Sequence, residues 1–128
     1  MSFLSKLELD GGSYNILECS YEFTQSIDSM GKPQGMPKGG EIRIRIESMG
    51  NPDLLNWMLD HSQTKDGKII FFRRDAMSKL QELKFGKAYC INFKEHFNAN
   101  DSQPLQIEMV LIAKTLDING AAHQKNWR

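Results

Sequence analysis

The chain carries no excess charge, few cysteines and no long apolar run. Sixteen Lys and Arg residues balance sixteen Asp and Glu residues, so the chain lacks the phosphate attraction of a dedicated nucleic-acid binder. Its two cysteines, Cys19 and Cys90, fall in predicted strands without the spacing of a disulfide framework. We therefore expect free thiols in the core, with a disulfide as the alternative, and synthesis in a reducing compartment.

The absence of long apolar runs bounds location and size. No run approaches the roughly 20 residues that span a bilayer, and no apolar signal core precedes Lys6 and Glu8. We expect synthesis in the cytoplasm without a signal peptide, and no membrane insertion. A chain of 128 residues can bury a core of its own, so we predict one domain over residues 1–128.

Catalytic and metal-binding motifs are also missing. The glycine-rich stretch precedes a strand and never supplies a P-loop. His61, His96 and His123 lie on separate predicted elements, without the spacing of metal ligands. Glu95 and His96 are neighbours in a predicted strand and point to opposite faces. We predict no enzyme activity, no cofactor and no metal site.

One convincing helix is predicted, over residues 50–61. Asn51 is a good N-cap and Pro52 suits the first helical position, while His61 falls in the last predicted turn. The apolar arc spans about 200°, twice what one buried face needs. Its members are Leu54, Leu55, Trp57, Met58 and Leu59. We infer that the helix packs on its own sheet with one side and on something else with the other.

Strand patterns occupy most of the remaining chain. The predicted strands cover residues 3–9, 14–24, 41–47, 69–72, 80–85, 87–97 and 105–114. Leu17, Cys19, Tyr21 and Phe23 are expected on one face of the second strand. The fifth and sixth strands should form a hairpin around Gly86. The residues predicted to be buried in the sixth are Tyr89, Ile91, Phe93 and Phe97. About seven strands with one helix indicate a mainly β antiparallel barrel or sandwich.

Two strand faces are polar. Glu18, Ser20 and Glu22 alternate with apolar residues in residues 14–24, and Arg43 and Arg45 do so in residues 41–47. An interleaved arginine pair is sometimes a nucleic-acid signal. Flanked by glutamates in a neutral chain, it is more typical of a solvated or cross-strand-paired face.

Two segments show neither the helical nor the strand periodicity of apolar residues. Residues 25–40 are rich in glycine and proline, and such a long loop is usually functional or disordered. Because it carries Ile27, Met30 and Met36, we favour a loop that docks on a partner. The polar tail over residues 117–128 is either pinned by Trp127 or frayed.

The order of short segments resembles a known family. The segments are YNILECSY at residues 14–21, EIRI at 41–44, LLNWM at 54–58, KIIF at 68–71, RRD at 73–75 and AYC at 88–90. Together with the start and the Gly/Pro loop, they resemble the tube protein of the type VI secretion system, the Hcp (TssD) family, and in particular its divergent short branch. The resemblance covers nearly the whole chain and rests on order and spacing.

The resemblance implies a fold and a role. The fold is a small antiparallel β-barrel of about seven strands with one flanking α-helix. Six copies form a ring, and the rings stack into a tube that sheath contraction expels from the cell. The implied partners are further copies of the chain, contractile sheath and spike proteins, and effector proteins in the lumen. The implied destination is the extracellular space or a target cell.

The resemblance and the patterns together give three hypothetical sites. The first is a ring-stacking or subunit-interface loop made by Ile27, Asp28, Met30, Lys32, Met36 and Lys38. The second is the outer face of the helix, facing sheath or neighbour, made by Leu55, Trp57 and Leu59. The third is a lumen or wet strand face made by Glu18, Ser20, Glu22, Arg43 and Arg45.

Two alternative functions remain open from the sequence. One is a small intracellular barrel that binds an apolar ligand, although such proteins carry their helices near the start and this helix lies mid-chain. The other is a spike-associated or effector-adaptor variant of the tube fold. Rings in solution would favour the tube, and a monomer holding a lipid would favour the first alternative.

Overall fold

The computed structural model describes residues 4–75 and 78–125. Phe3 of the first predicted strand and Trp127 of the tail therefore lie outside the described residues. Within those ranges the chain forms nine strands and one helix. In chain order they are β1 (Ser5–Leu9), β2 (Gly12–Tyr21), β3 (Thr24–Ile27), β4 (Pro33–Lys38), β5 (Glu41–Glu47), α1 (Asp53–Leu59), β6 (Lys65–Phe72), β7 (Lys79–Phe97), β8 (Leu105–Ile118) and β9 (Ala121–Gln124).

Six strands form a closed antiparallel barrel. They follow the order β5-β2-β1-β6-β7-β8, and β5 returns to pair with β8 along residues 41–47 and 106–112. Closure gives each of these strands a hydrogen-bonded neighbour on both sides. The predicted barrel with one helix is confirmed, and the sandwich is excluded. The other three strands lie outside the closed ring.

Side chains from alternate strand positions fill the barrel interior. Ile42, Ile44 and Ile46 of β5 point inward and are at most 3% exposed, because successive residues of a strand face opposite sides. Their partners on β8 are Leu111, Met109 and Ile107. Burial of each such side chain stabilises the fold by roughly 1.5–3 kcal/mol. The interior is therefore a packed core.

The two ends of the barrel differ. At the end that we call the hairpin end, β2 finishes at Tyr21 and β5 begins at Glu41, with β3 and β4 between them. At the opposite end, the helix end, β5 finishes and β6 begins, with α1 between them. Because neighbouring strands are antiparallel, the β1–β2 turn and the β7–β8 connection also lie at the helix end.

The helix buries one side against the barrel. Leu54 and Trp57 are 2% and 1% exposed, respectively, and belong to the core. The indole Nε1 of Trp57 donates a hydrogen bond to the backbone oxygen of Gln63 at 3.2 Å, and the Lys65 Nζ atom lies 5.9 Å from the indole centroid. The prediction that Trp57 lies on the outer face of the helix is wrong, because this largest side chain of the apolar arc packs into the core.

The helix is also shorter than the predicted residues 50–61. Pro52 is the N-cap and makes no side-chain cap. The Asn51 Oδ1 atom instead accepts a hydrogen bond from the Asp53 amide at 2.9 Å, which forms a turn just before the helix. His61 follows the end of the helix at Leu59, and no basic residue lies in the last turn.

β7 is a single strand of 19 residues instead of a hairpin around Gly86. Gly86 pairs with Thr115 of β8, and a Cβ atom on it would lie 2.4 Å from the Thr115 Oγ1 atom. The next residue, Lys87, has a φ of 49°, and the β6–β7 register shifts nearby. The glycine therefore marks a bulge where two strands approach closely.

A second bulge lies in β2. Its register against β5 shifts between Ile16 and Glu18. Leu17, predicted to share a face with Cys19, falls at the bulge and is 36% exposed. Phe23 follows the end of β2 and is exposed as well. The predicted continuous apolar face is thus interrupted at Leu17.

The described part of the tail is ordered. After β8 the chain turns at Asn119 and Gly120 and returns as β9, which pairs with residues 115–118 of β8. β5 and β9 pair with the same edge of β8. β5 pairs with it up to Ile112, and β9 pairs with it from Thr115 onward. Through Gln124 the segment is a strand, and the frayed alternative does not hold there.

We expect the Trp57→Ala substitution to lower the free energy of unfolding by about 3–5 kcal/mol, because it leaves a core cavity and removes a buried hydrogen bond. The matched control is Leu59→Ala in the same helix, where the side chain is 71% exposed. The control should change that free energy by about 0.5 kcal/mol or less. Chemical denaturation at matched protein concentration measures both, and equal losses would contradict the assignment.

Candidate functional site

Residues 25–40, predicted as a loop without regular structure, contain an exposed β-hairpin. β3 pairs with β4, with Ile27 opposite Pro33 and Thr24 opposite Lys38. The register shifts between these pairs, and Gly35 in β4 has a φ of 81°. The bulge and the prolines remove the alternation that identifies a strand in a sequence. This segment was therefore predicted wrongly as a loop.

Asp28 fixes the turn of the hairpin. Its Oδ1 atom accepts hydrogen bonds from the backbone amides of Met30 at 2.9 Å and Lys32 at 3.0 Å. Its own amide donates to the Lys32 oxygen at 2.8 Å. Met30 beside this turn is 82% exposed. All six residues predicted for this interface are exposed, namely Ile27, Asp28, Met30, Lys32, Met36 and Lys38.

The helix presents a small apolar surface outward. Leu55 and Leu59 are four residues apart and so lie on one side of the helix. Both are exposed, Leu59 more than Leu55. Two of the three residues predicted for the outer face are therefore accessible, and Trp57 is the one that is not.

Sequence reasoning missed another apolar surface, at the helix end of the barrel. We call it the tip patch and define it as Met49, Phe97 and Leu105. Phe97 and Leu105 are paired where β7 meets β8. The Ser48 amide donates to the Leu105 oxygen at 2.9 Å, which places Met49 beside them. All three side chains are exposed.

Phe97 and Ile91 were both predicted to be buried, and both predictions are wrong. Ile91 sits at a register shift between Cys90 and Asn92 and is exposed. Phe97 lies beyond the last β5–β8 pair, so that part of β7 has left the closed barrel. At this end β7 and β8 extend by one pair, Phe97 with Leu105, past the last β5–β8 pair at Gln106.

Charged side chains of alternating sign cross the outside of four strands. We call this surface the charged wall and define it as Glu18, Arg45, Glu108 and Lys94. The Arg45 guanidinium lies 3.2 Å from the Glu18 carboxylate and 3.6 Å from that of Glu108. The Lys94 Nζ atom lies 3.9 Å from Glu108. The cross-strand pairing predicted for the arginine-containing strand is thus confirmed.

The remaining residues of the predicted wet face lie beside the charged wall. Ser20 and Arg43 line the same shallow depression as the wall. Glu22 follows the end of β2 and lines a smaller depression with Glu41 and Arg43, whose side chains are 3.2 Å apart. Four of the five predicted residues are therefore brought together, and Glu22 lies at their margin.

The helix and the charged wall meet at one strand, β7. The wall is built on β2, β5, β8 and β7, which are consecutive around the barrel. The indole of Trp57 contacts Lys65 of β6, and Lys65 in turn pairs with Asp10 after β1. β1 and β6 complete the barrel between β2 and β7. The helix lies against β7, the wall strand that carries Lys94, and its indole reaches across to Lys65 of β6.

Both cysteine thiols are free, as predicted. Burial raises the pKa of Cys19 to about 11 and that of Cys90 to about 11, because desolvation disfavours the thiolate. For Cys90 a backbone hydrogen bond with Asn92 has a smaller, opposite effect on the pKa. Thiolate chemistry is therefore suppressed at neutral pH.

Metal sites and membrane-spanning helices each have a recognisable arrangement. Among the described residues, no group of three or more His, Cys, Asp or Glu side chains is arranged to hold a metal ion. In the same ranges, none of the helical structure is long and apolar enough for a transmembrane span. The exposed hairpin, the helix face, the tip patch and the charged wall are four surfaces of the described residues that are open to a partner.

All 128 residues match the sequence model of the family described as "Hemolysin coregulated protein Hcp (TssD)". The chain belongs to the Hcp family. Among solved structures, Hcp1 from Flavobacterium johnsoniae is 35% identical, with a TM-score of 0.90 over 96% of this chain and 100% of that one. A comparison with curated proteins gave no match.

More distant structures show the same fold. Hcp1 from the E. coli EAEC 042 pathovar is 14% identical, with a TM-score of 0.76 over 98% of this chain and 100% of that one. A chain of the sheath–tube complex of PVC, an extracellular contractile injection system, is 17% identical. Its TM-score is 0.56 over 91% of this chain and 88% of that one.

Membership of the Hcp family gives the role of the chain. It is a structural tube subunit of the type VI secretion system, in a family that this machinery secretes. The resemblance seen in the sequence is confirmed. The alternative of a barrel with an apolar ligand inside is not supported, because buried side chains occupy the interior.

We expect both thiols of this Hcp protein to react slowly with a maleimide or a disulfide reagent at pH 8. Their pKa values of about 11 keep the thiolate fraction small. Reaction should accelerate once denaturant exposes them and their pKa falls towards the ordinary value of about 8.5. Since only the folded state resists ionisation, its stability should also decline as pH rises from about 9 to about 11. Rapid labelling of the native protein would contradict this expectation.

Proposed function

We propose that the chain forms hexameric rings that stack head to tail, with the hairpin of one subunit seated on the tip patch of a subunit in the next ring. The observation that carries this proposal is that the hairpin and the tip patch lie at opposite ends of the barrel. Residues 1–128 act in this proposal as one structural domain with no catalytic role.

Opposite placement favours an open polymer. When a surface at one end of a subunit fits a different surface at the other end of the next subunit, the contact is heterologous. Such contacts repeat along an axis and give an open filament, unless the rotation between subunits closes them into a ring. Ile27, Met30 and Met36 supply the apolar surface at the hairpin end, and all three are more than 60% exposed. Stacking would remove both apolar surfaces from water at once.

Charge also favours this pairing. The hairpin carries Lys32 and Lys38 against one acidic residue, Asp28. Neither lysine side chain forms a salt bridge within the described part of the chain. The segment around the tip carries Glu95 and Asp101 and no Lys or Arg between them. Opposite signs orient the approach of two rings and disfavour hairpin-to-hairpin contact.

The size of these surfaces suits a tube that must later come apart. Each presents a few exposed side chains instead of a broad apolar face. Contacts of this size are individually weak, and many of them acting together along a stack hold it by multivalency. A ring released from the stack loses that advantage. We infer that axial contacts are weaker than those within a ring, so that a delivered tube dissociates.

The two sides of the barrel receive different roles in this proposal. The charged wall faces the lumen, where paired charges of alternating sign leave a hydrated surface with little net pull on an effector. Leu55 and Leu59 face outward towards the sheath, since they are exposed on a helix whose other side, with Leu54 and Trp57, is buried in the core. The likeness to a chain of the PVC sheath–tube complex supports a sheath as partner. The spike would meet the barrel ends exposed on the last ring.

We expect the Met30→Glu/Met36→Glu double variant to form rings of normal mass that do not stack, because carboxylates replace the apolar contacts of the hairpin. Light scattering gives the ring mass, and electron microscopy or pelleting gives the extent of stacking. Phe97→Glu in the tip patch should have the same effect from the opposite end.

The matched control is Met30→Leu/Met36→Leu, which keeps the apolar character and should keep stacking. Stacking of the glutamate double variant to the wild-type extent would show that the hairpin is not the axial contact. Normal stacking of Phe97→Glu alone would move the receiving surface away from the tip patch.

A labelling experiment tests which side faces the lumen. Because the native thiols should react slowly, Ser20→Cys and Leu59→Cys place reactive thiols beside the charged wall and on the helix. In assembled tubes we expect a small maleimide to reach both cysteines and a maleimide on a large polymer to reach only the one on the helix. The reverse pattern would exchange the two assignments. Dissociated rings, in which both sites are open, are the control.

A further inference from the structure

The base of the hairpin contacts β9 through two side chains, Phe23 and His123, and one backbone group, the Pro37 oxygen. The Nε2 atom of His123 lies 3.2 Å from the backbone oxygen of Pro37. Because a carbonyl oxygen can only accept, this nitrogen donates. The imidazole of His123 also packs edge-on against Phe23, with ring centroids 5.2 Å apart at 61°. These contacts join β9 to both chain segments that lead into the hairpin.

The hairpin has little other support. Among the described elements, β3 and β4 pair only with each other and form a sheet separate from the barrel. Its side chains are exposed along both strands. The direction in which it projects therefore depends on the two connections at its base and on whatever fixes them.

β9 is itself held firmly to the barrel. His123 lies opposite Leu116 of β8 in the β8–β9 ladder. The Lys125 amide donates to the Lys114 oxygen at 2.8 Å, and the Ala113 amide donates to the Gly40 oxygen at 2.7 Å. The edge of β8 is thus bonded continuously from β5, through the end of the hairpin connection, to β9. A side chain on β9 is therefore held in a fixed position relative to the barrel.

The sequence is adapted to this junction at Gly39. A Cβ atom on Gly39 would lie 2.2 Å from the Phe23 Cδ1 atom. The Phe23 ring can therefore pack here only because residue 39 is a glycine. On its other side Phe23 packs against Tyr21, with centroids 6.3 Å apart at 72°. The Tyr21 hydroxyl accepts a hydrogen bond from the Gln81 side chain at 2.7 Å. A chain of contacts therefore runs from the mouth of the barrel through Phe23 to His123.

We infer that β9 is a strut that sets the angle of the hairpin, with His123 as its positioning residue. The short C-terminal strand completes no part of the closed barrel, and its effect is to hold the segment that engages the next copy of the chain. The consequence for stacking rests on the function proposed above. The structural half of the inference concerns this chain alone.

The His123→Ala variant tests the strut. Amide hydrogen exchange is measured over the hairpin, residues 24–38, in the Met30→Glu/Met36→Glu background, so that stacking does not itself protect the hairpin. We expect exchange there to be about tenfold faster, from loss of one hydrogen bond and one aromatic contact. Exchange in β5 and the mass of the ring should stay unchanged. His61→Ala, an exposed histidine outside the hairpin and β9, is the control.

His123→Phe separates the two contacts and guards against a variant that fails to fold. It keeps an aromatic ring against Phe23 and removes the donor to Pro37, so the acceleration should be smaller than for alanine. Unchanged hairpin exchange in both variants would overturn the strut. If His123→Ala unfolds, His123→Phe alone decides the matter. Wild-type exchange over the hairpin in His123→Phe would then overturn the positioning role of the hydrogen bond to Pro37.

Stacking is then measured with His123→Ala in the otherwise wild-type chain. A several-fold loss of pelletable tube, together with faster hairpin exchange, supports the full inference. Faster hairpin exchange with normal stacking would leave the strut in place and would overturn the stacking role proposed for the hairpin. The two measurements thus distinguish failure of the strut from failure of the proposed function.

Discussion

The pairing of β5 with β8 is the constraint on which the rest of the structure depends. Without it the six strands would form an open sheet with two long edges, and the isoleucines of β5 would lack the side chains that now face them. With it, the strands are bonded in a ring, inward side chains are mostly apolar, and outward ones are free to be polar. The packed core and the charged wall are therefore two results of one closure.

Closure also explains where the exposed apolar groups lie. A closed barrel covers its sides with hydrogen-bonded strands, so segments that exceed its height or interrupt its order project from its ends. The hairpin is inserted in the connection between β2 and β5. The tip patch lies where β7 and β8 extend one pair past the last β5–β8 pair. Surfaces that arise at opposite ends in this way suit a polymer that grows along the barrel. The helix, whose Trp57 fills the core, leaves Leu55 and Leu59 for a lateral partner.

How much of this follows from sequence depends on whether a residue obeys a local period. Residues 41–47 alternate without a break, and their strand, their inward isoleucines and their outward charge pairs were all predictable. Bulges remove that regularity, which is why Leu17, Ile91 and the hairpin strands β3 and β4 were misassigned. A glycine within a strand pattern, such as Gly86, can mark either a bulge or a turn. Only the pairing with the neighbouring strand, which the sequence does not show, distinguishes the two. Trp57 shows a further limit, because an apolar arc does not reveal which of its members faces the core.

The division between a closed core and exposed ends also bears on how a tube can be both strong and temporary. Stability of the subunit comes from the barrel interior, which no neighbour needs to complete. Stacking draws on side chains that contribute little to that core, so axial contacts can form and break without unfolding the chain. The hairpin must then be held in place by something other than core packing, since almost all of it lies in solvent. A short strand bonded to the barrel edge and reaching the hairpin through one histidine meets that need. It gives a projecting element a fixed direction while leaving its contact surface free for the next ring.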